Sequence, residues 1–264
     1  MRLCVFAVYL PMPNTTALLQ QALEAAERAC SEILNVYTSG DFQTEAKGDN
    51  SPLTVADKRA HNVISSMLQS SGLPILSEEG KTIPFEERRS WEYFWMVDPL
   101  DGTKEFLKRN GEFTVNIALI HKNKPVMGVV AVPVTGDVYY TSSDGAFLKR
   151  KGVTQKLEHR GRTNLQQTGL RVVASRSHMT EETQQFVNRL VKPSLVSSGS
   201  SLKFMMLAEG AADVYPRYAP TMEWDTAASH AIVNAVGLKV TQQGSSEELV
   251  YNKENLLNPG FLVS

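Results

Sequence analysis

The run Trp95-Met-Val-Asp98-Pro-Leu-Asp101-Gly-Thr103 ends an apolar stretch on two carboxylates three residues apart, with Pro99 and Gly102 placed to shape a turn. Carboxylates at the end of a buried strand cost free energy unless a positive partner offsets them. A hard divalent cation is one such partner, because magnesium takes carboxylate, carbonyl and water oxygens. Taken alone, a solvated Asp-Gly surface turn accounts for the segment equally well. Three further acidic positions shift that balance toward chemistry. Glu78 and Glu79 follow the short apolar run Pro74-Ile-Leu76. Asp57 stands three residues after Thr54, a spacing that also makes a helix capping box. Asp225 follows the bulky Trp224 and precedes a helical pattern, where an N-cap is the structural alternative. Those alternatives leave unexplained why four acidic clusters all sit at the ends of elements.

The elements that must position these groups follow from periodicity. Thr15 or Thr16 is expected to cap a helix whose apolar residues Leu18, Ala22, Ala25, Ala29 and Ile33 share one face, with Gly40 beyond its end. A second helix follows Pro52, carrying Ala56, Ala60, Val63, Ile64, Met67 and Leu68 on one side and closed by Gly72. Strand-like runs over 74–76, 93–97, 113–120, 126–134 and 138–141, joined by tight turns, predict an antiparallel meander. The charged stretch 149–167 reads as loop. Strands at 170–174 and 195–196 and helices at 180–191, 202–209 and 226–236 follow, the last stopped by Gly237. Mixed helices and strands in both halves predict a layered α/β architecture. The expected division is an N-terminal extension over 1–14, an α+β subdomain over 15–155 and an α/β subdomain over 156–264.

With 264 residues the chain can bury one large core or two joined ones. A hydrophobic content of 42% and a charged content of 21% fit a globular protein. Its 27 basic and 28 acidic side chains give a net charge of −1, which argues against nucleic acid as a partner. Cys4 and Cys30 form no metal or disulfide framework, and this usage points to a reducing cytoplasm. The apolar segment 3–10 is too short to span a bilayer. It reads as an extension that leaves peripheral contact with the cytoplasmic face of the inner membrane open. The remaining histidines, His61, His121, His159 and His230, lack ligand spacing and read as structural or exposed.

Asp98-Pro-Leu-Asp-Gly-Thr103 and Trp224-Asp-Thr-Ala-Ala228, with Glu78-Glu79 upstream, resemble in order and separation the motifs of the inositol monophosphatase-like, lithium-sensitive phosphatases. The closer likeness is to the bacterial 3′(2′),5′-bisphosphate nucleotidase branch. It is carried by Lys104-Glu-Phe106 and the residues up to Asn116, by Ser175-Arg-Ser-His178, by Gly199-Ser-Ser-Leu-Lys-Phe204, by Tyr215-Pro-Arg217 and by Leu257-Asn-Pro-Gly-Phe261. The resemblance implies an α-β-α-β-α sandwich and two or three Mg2+ ions. Their ligands would be Glu78, Asp98, Asp101, Asp225 and the backbone carbonyl of Leu100, with Asp98 bridging. A water nucleophile would be served by Thr103 and Asp57, with Glu79 acting indirectly. Asp101, Gly102, Thr103 and Lys104 would cradle the scissile phosphate, beside Glu78 and Asp225. Ser175, Arg176, His178, Gly199, Lys203 and Arg217 would hold the rest of a small bisphosphate nucleotide. The expected reaction converts adenosine 3′,5′-bisphosphate to AMP and phosphate, in the context of sulfur assimilation. Inositol phosphates or another sugar phosphate are the rival substrates, and a regulatory protein without turnover is the rival class. A monomer and a homodimer both remain compatible with the residues.

Overall fold

The computed structural model describes residues 14–42, 45–46, 52–174 and 179–264. Helix α1 (Thr15–Ser39) starts where the Asn14 side-chain oxygen accepts from the Ala17 amide at 3.2 Å. Asn14, rather than Thr15 or Thr16, is the cap, because a cap residue needs extended backbone and the chain is already helical from Thr15. Alanines dominate its buried face, and Gly40 ends it at φ 75°. The strands β1 (Glu45–Ala46) and β2 (Pro52–Leu53) pair antiparallel ahead of α2 (Val55–Leu68). Thr54 and Asp57 form the capping box at its start, the Thr54 amide donating to Asp57 Oδ2 at 2.8 Å. Small residues on both helices let α1 and α2 pack against each other and on one sheet face.

That sheet is built from β3 (Ile75–Ser77), followed after α3 (Phe85–Arg88) by β4 (Tyr93–Asp101). After α4 (Thr103–Leu107) come β5 (Thr114–His121), β6 (Lys124–Val132), β7 (Asp137–Ser142), β8 (Gly145–Arg150) and β9 (Val153–Lys156). The seven strands lie side by side in chain order. Only β3 runs parallel to its neighbour β4, so the antiparallel meander holds from β4 onward. The stretch from 149, expected as loop, instead supplies the end of β8 and all of β9. Every residue of β9 is exposed, so this edge strand lacks the apolar alternation by which strands are read from sequence.

Alternation divides the sheet's two faces. Trp95, Val97, Val115, Ile117 and Leu119 pack under α1 and α2. Phe94, Met96, Ala118 and Ile120 face the opposite way. The second half of the chain covers that face. It comprises β10 (Arg171–Val173), α5 (Glu181–Asn188), β11 (Ser194–Val196), α6 (Leu202–Ala208), β12 (Tyr215–Arg217), α7 (Glu223–Ala235), β13 (Val240–Gln242) and β14 (Phe261–Val263). Helices α6 and α7 lie between the large sheet and a small antiparallel sheet ordered β12-β14-β13. The Val173 amide donates to the Val214 carbonyl at 2.8 Å, which ties the parallel pair β10–β11 to the chain entering β12. Helix α5 packs on β12 from outside, with Phe186 edge-on to Tyr218. The layers therefore run α-β-α-β-α, as the motifs implied. A Cβ on Gly128 of β6 would lie 2.1 Å from the Ala228 carbonyl of α7, so the helix backbone rests directly on the strand.

Candidate active site

The site lies where the apolar stripes of β4 and β5 turn polar at the same end. On the face toward α7, Phe94 and Met96 are followed by Asp98, and Ile120 and Ala118 by Asn116 and Thr114. Asp98 pairs with Asn116 and Asp101 with Thr114, with a register shift between them at Pro99 and Leu100. Pro99 cannot donate to the ladder, which makes the irregularity local. Within it the Leu100 amide turns inward to Asp98 Oδ1 at 3.0 Å.

Two serine hydroxyls hold Asp101. Its Oδ2 accepts from Ser200 Oγ at 2.6 Å and from Ser201 Oγ at 2.9 Å. Thr114 and Ser200 join hydroxyls at 2.7 Å, and Asn116 Nδ2 donates to Ser201 Oγ at 2.9 Å. Thr114, Asn116, Ser200 and Ser201 received no role from the sequence. Only Thr114 and Asn116 carried a signal, as polar residues that interrupt an apolar strand on one face, and it did not say what they would meet.

Asp225 does not precede its helix as expected. It is the third residue of α7 and its carboxylate accepts from the Met222 amide at 2.9 Å. The helix begins three residues before Thr226 because the C-terminal segment fixes its first turn. Asn258 Nδ2 donates to the Met222 carbonyl at 2.8 Å and to Thr226 Oγ1 at 3.0 Å. Asp57 forms the capping box and also reaches Thr103. One oxygen closes the capping box, and Oδ1 accepts from Thr103 Oγ1 at 3.3 Å. Thr103 also reaches the Leu100 carbonyl at 3.4 Å.

Electrostatics mark this cluster. Burial, followed by the charges of Glu78, Asp101 and Asp225, pushes the Asp98 carboxyl well above the ordinary carboxylate range. Asp225 is likewise raised, first by burial and then by Asp101, with Glu78 adding to it. Among the described residues no three acidic or histidine side chains converge as a closed ligand set. The fit to a cation therefore rests on donor chemistry: the charges of Glu78, Asp101 and Asp225 bear on the buried Asp98, and these are hard oxygen donors whose mutual repulsion a divalent ion would offset.

A cavity of about 240 Å3 opens beside them, lined by Asp101 and Asp225. Gly102, Lys104, Gly199, Lys203 and Arg217 also line it, as do Lys108 and Tyr215, which the sequence left unassigned. Burial holds the Lys203 ammonium down to about 8, opposed by Asp101 and reinforced by Arg217. Arg217 donates to the Pro220 carbonyl at 3.1 Å, while its Nε is buried with no hydrogen-bond partner among the described residues. Gly199 meets the chain itself, since a Cβ there would lie 2.7 Å from the Glu112 carbonyl. Ser175, Arg176 and His178 lie outside the described residues, as does the segment 1–13. No helix among the described residues is long and apolar enough to cross a membrane.

These layers, and a carboxylate cluster at the edge of a cation-lined cavity, define the class. A sequence model of the Inositol monophosphatase family matches residues 14–260, and the chain belongs to that family. Within it, the chain is 44% identical over 252 residues to the 3′(2′),5′-bisphosphate nucleotidase CysQ of Salmonella typhimurium, covering 94% of this chain and 99% of that protein. The crystal structure of CysQ from Bacteroides thetaiotaomicron superposes with a TM-score of 0.83 at 46% identity, covering 95% of this chain and 98% of that one. The extragenic suppressor protein suhB of Bartonella henselae, at 22% identity and a TM-score of 0.72 over 94% of this chain and 93% of its own, shares the fold.

Proposed function

We propose that this chain is a magnesium-dependent 3′(2′),5′-bisphosphate nucleotidase that converts adenosine 3′,5′-bisphosphate to AMP and phosphate. The observation that carries the reading is the pairing of opposite charges in one cavity, which the mutually repelling Asp101 and Asp225 line together with Lys203 and Arg217. A monophosphate needs only the carboxylates, whereas a second, uncleaved phosphate needs fixed cations. Likeness to the Salmonella and Bacteroides CysQ proteins over nearly the whole chain supports the same substrate.

Glu78, Asp98, Asp101, Asp225 and the Leu100 carbonyl are the groups that would hold magnesium, which supplies Lewis-acid polarisation of the phosphoryl group and the water. Asp57 accepts from the Thr103 hydroxyl, which leaves the hydroxyl oxygen's lone pairs to orient the attacking water. The proton released on attack is held along Thr103 and Asp57. Ser200 and Ser201 fix the rotamer of Asp101, so its second oxygen keeps one direction. Lys203 and Arg217 bind the uncleaved phosphate. Glu79 tunes the neighbouring Glu78, and Ser175 and His178 contact the nucleotide. Cytoplasmic sulfur metabolism is the corresponding setting.

Phosphate release from adenosine 3′,5′-bisphosphate and inositol 1-phosphate, measured in parallel with magnesium, with chelator and with lithium, tests this reading. The expected preference for the nucleotide is about 100-fold in kcat/KM, or about 2.7 kcal/mol. A preference for inositol 1-phosphate would discard the assigned roles of Lys203 and Arg217. Turnover of neither substrate would leave a binding protein without catalysis.

A further inference from the structure

Helix α2 touches the site twice. Its first contact is Asp57. Four residues later, on the same helix face, His61 sets Nδ1 2.9 Å from Ser77 Oγ, the last residue of β3. Ser77 is buried, and alternation turns its side chain toward α2 while its neighbours along β3 and beyond turn the other way. Leu76 joins the core under α7. Glu78, one residue past the strand, projects its charge onto Asp98 and Asp225.

The backbone around this contact is tightly specified. The Glu78 amide donates to the Val97 carbonyl at 3.1 Å, which extends the β3–β4 pairing to the acidic residue itself. The Gly80 amide folds back to the Ser77 carbonyl at 3.0 Å. A Cβ on Gly80 would lie 3.6 Å from His61 Cε1, so the imidazole packs against the turn as well as against Ser77.

We propose that His61, through Ser77, is a positioning residue for the acidic pair Glu78-Glu79, locking that turn to the helix that carries Asp57. The inference rests on the metal-dependent reading above, and it concerns a residue outside the reaction cavity. Loosening the latch lets Glu78 sample orientations away from Asp98 and Asp225, so the cost falls on cation affinity. The nucleotide-binding wall at Lys203 and Arg217 is untouched.

The test is titration of the full chain with Mn2+, read by electron paramagnetic resonance, alongside KM for the nucleotide and thermal unfolding. His61→Ala and Ser77→Ala should each weaken Mn2+ binding by about tenfold, the range for residues that orient metal ligands. KM for the nucleotide at saturating metal should stay within about twofold, a shift below ~0.5 kcal/mol. His61→Asn presents a side-chain amide where Nδ1 stood and should restore most of the lost affinity. Ser66→Ala, on the exposed face of α2, should leave it unchanged. Equal Mn2+ affinity in wild type and His61→Ala would overturn the inference while leaving the metal-dependent reading intact. So would a loss of the same size in Ser66→Ala, or no rescue by asparagine. A wild-type chain that takes up no Mn2+ would sink both.

Discussion

Glu223 and Asp225 stand two residues apart in the first turn of α7, and their surroundings are opposite in sign. Glu223 is fully buried and completely served by its own chain. It accepts from the amides of Asn252 and Lys253 at 2.5 and 3.0 Å, and from Lys253 Nζ at 2.5 Å. Arg88 completes the arrangement by donating to Asn252 Oδ1 at 2.8 Å. Burial raises the Glu223 carboxyl, and Lys253 opposes the rise. Around Asp225 the charges of Asp101 and Glu78 add to the effect of burial, while the Met222 amide and Arg217 oppose it. One carboxylate has a partner within the fold, so it stabilises. The other faces its own kind, an arrangement the fold tolerates and a bound cation would reward.

The sharpest test of this contrast lies on the repelling side. Asp98→Asn removes the charge that Glu78, Asp101 and Asp225 all oppose. Turnover should fall by about 1,000-fold, or about 4 kcal/mol in the transition state, while the thermal midpoint stays level or rises. Wild-type turnover in that variant would remove Asp98 from the metal set. On the paired side the outcome reverses. Glu223→Gln leaves Lys253 partly uncompensated in a buried site and should cost about 3 kcal/mol of stability. Denaturant unfolding measures this, and an unchanged midpoint would mean that Glu223 is not the anchor of the C-terminal segment.

Gly128 supplies a third comparison, because it sets how closely α7 as a whole approaches the sheet. Gly128→Ala places a methyl group against the Ala228 carbonyl and should cost about 2 kcal/mol, as overpacking does. It displaces Asp225 and Glu223 together, so both activity and stability should drop. A loss of activity alone would mean that the helix shifts without strain.

The smallest expected effect is in pH dependence. The Asp98 carboxyl titrates above its ordinary value in the fold, so the folded chain holds a proton that the unfolded chain has released. Stability contributed by this group therefore falls as pH rises above about 4, the ordinary carboxylate value. In chelator, wild type should lose stability relative to Asp98→Asn as pH rises above about 4. Magnesium should abolish the difference. Parallel pH profiles for the two proteins in chelator would contradict the buried repulsion.

Much of the fold was legible because helices α1 and α2 and strands β4 to β7 bury one face or both, and burial writes periodicity into sequence. The solvated edge strand β9 has no buried face, so nothing in its residues distinguished it from a loop. The same logic separates the parts of the site. Asp98 and Asp101 stood out because charge at the end of an apolar run is costly, Asp225 because the bulky Trp224 precedes it, and Asp57 because it sits at a helix start, where a capping box was the structural alternative.

Thr114, Asn116, Ser200 and Ser201 are small polar residues with many local explanations, and only the approach of α6 to β5 joins them to Asp101. His61 had no ligand spacing in the chain, since Ser77 lies sixteen residues away and meets it only when α2 packs beside β3. The division between Glu223 and Asp225 was equally invisible, because Lys253 and Asn252 return from the far end of the chain. Residue type and local spacing thus determined where charge would be concentrated. Tertiary packing alone decided which of those charges found partners, because the partners are brought together by contacts that sequence separation hides.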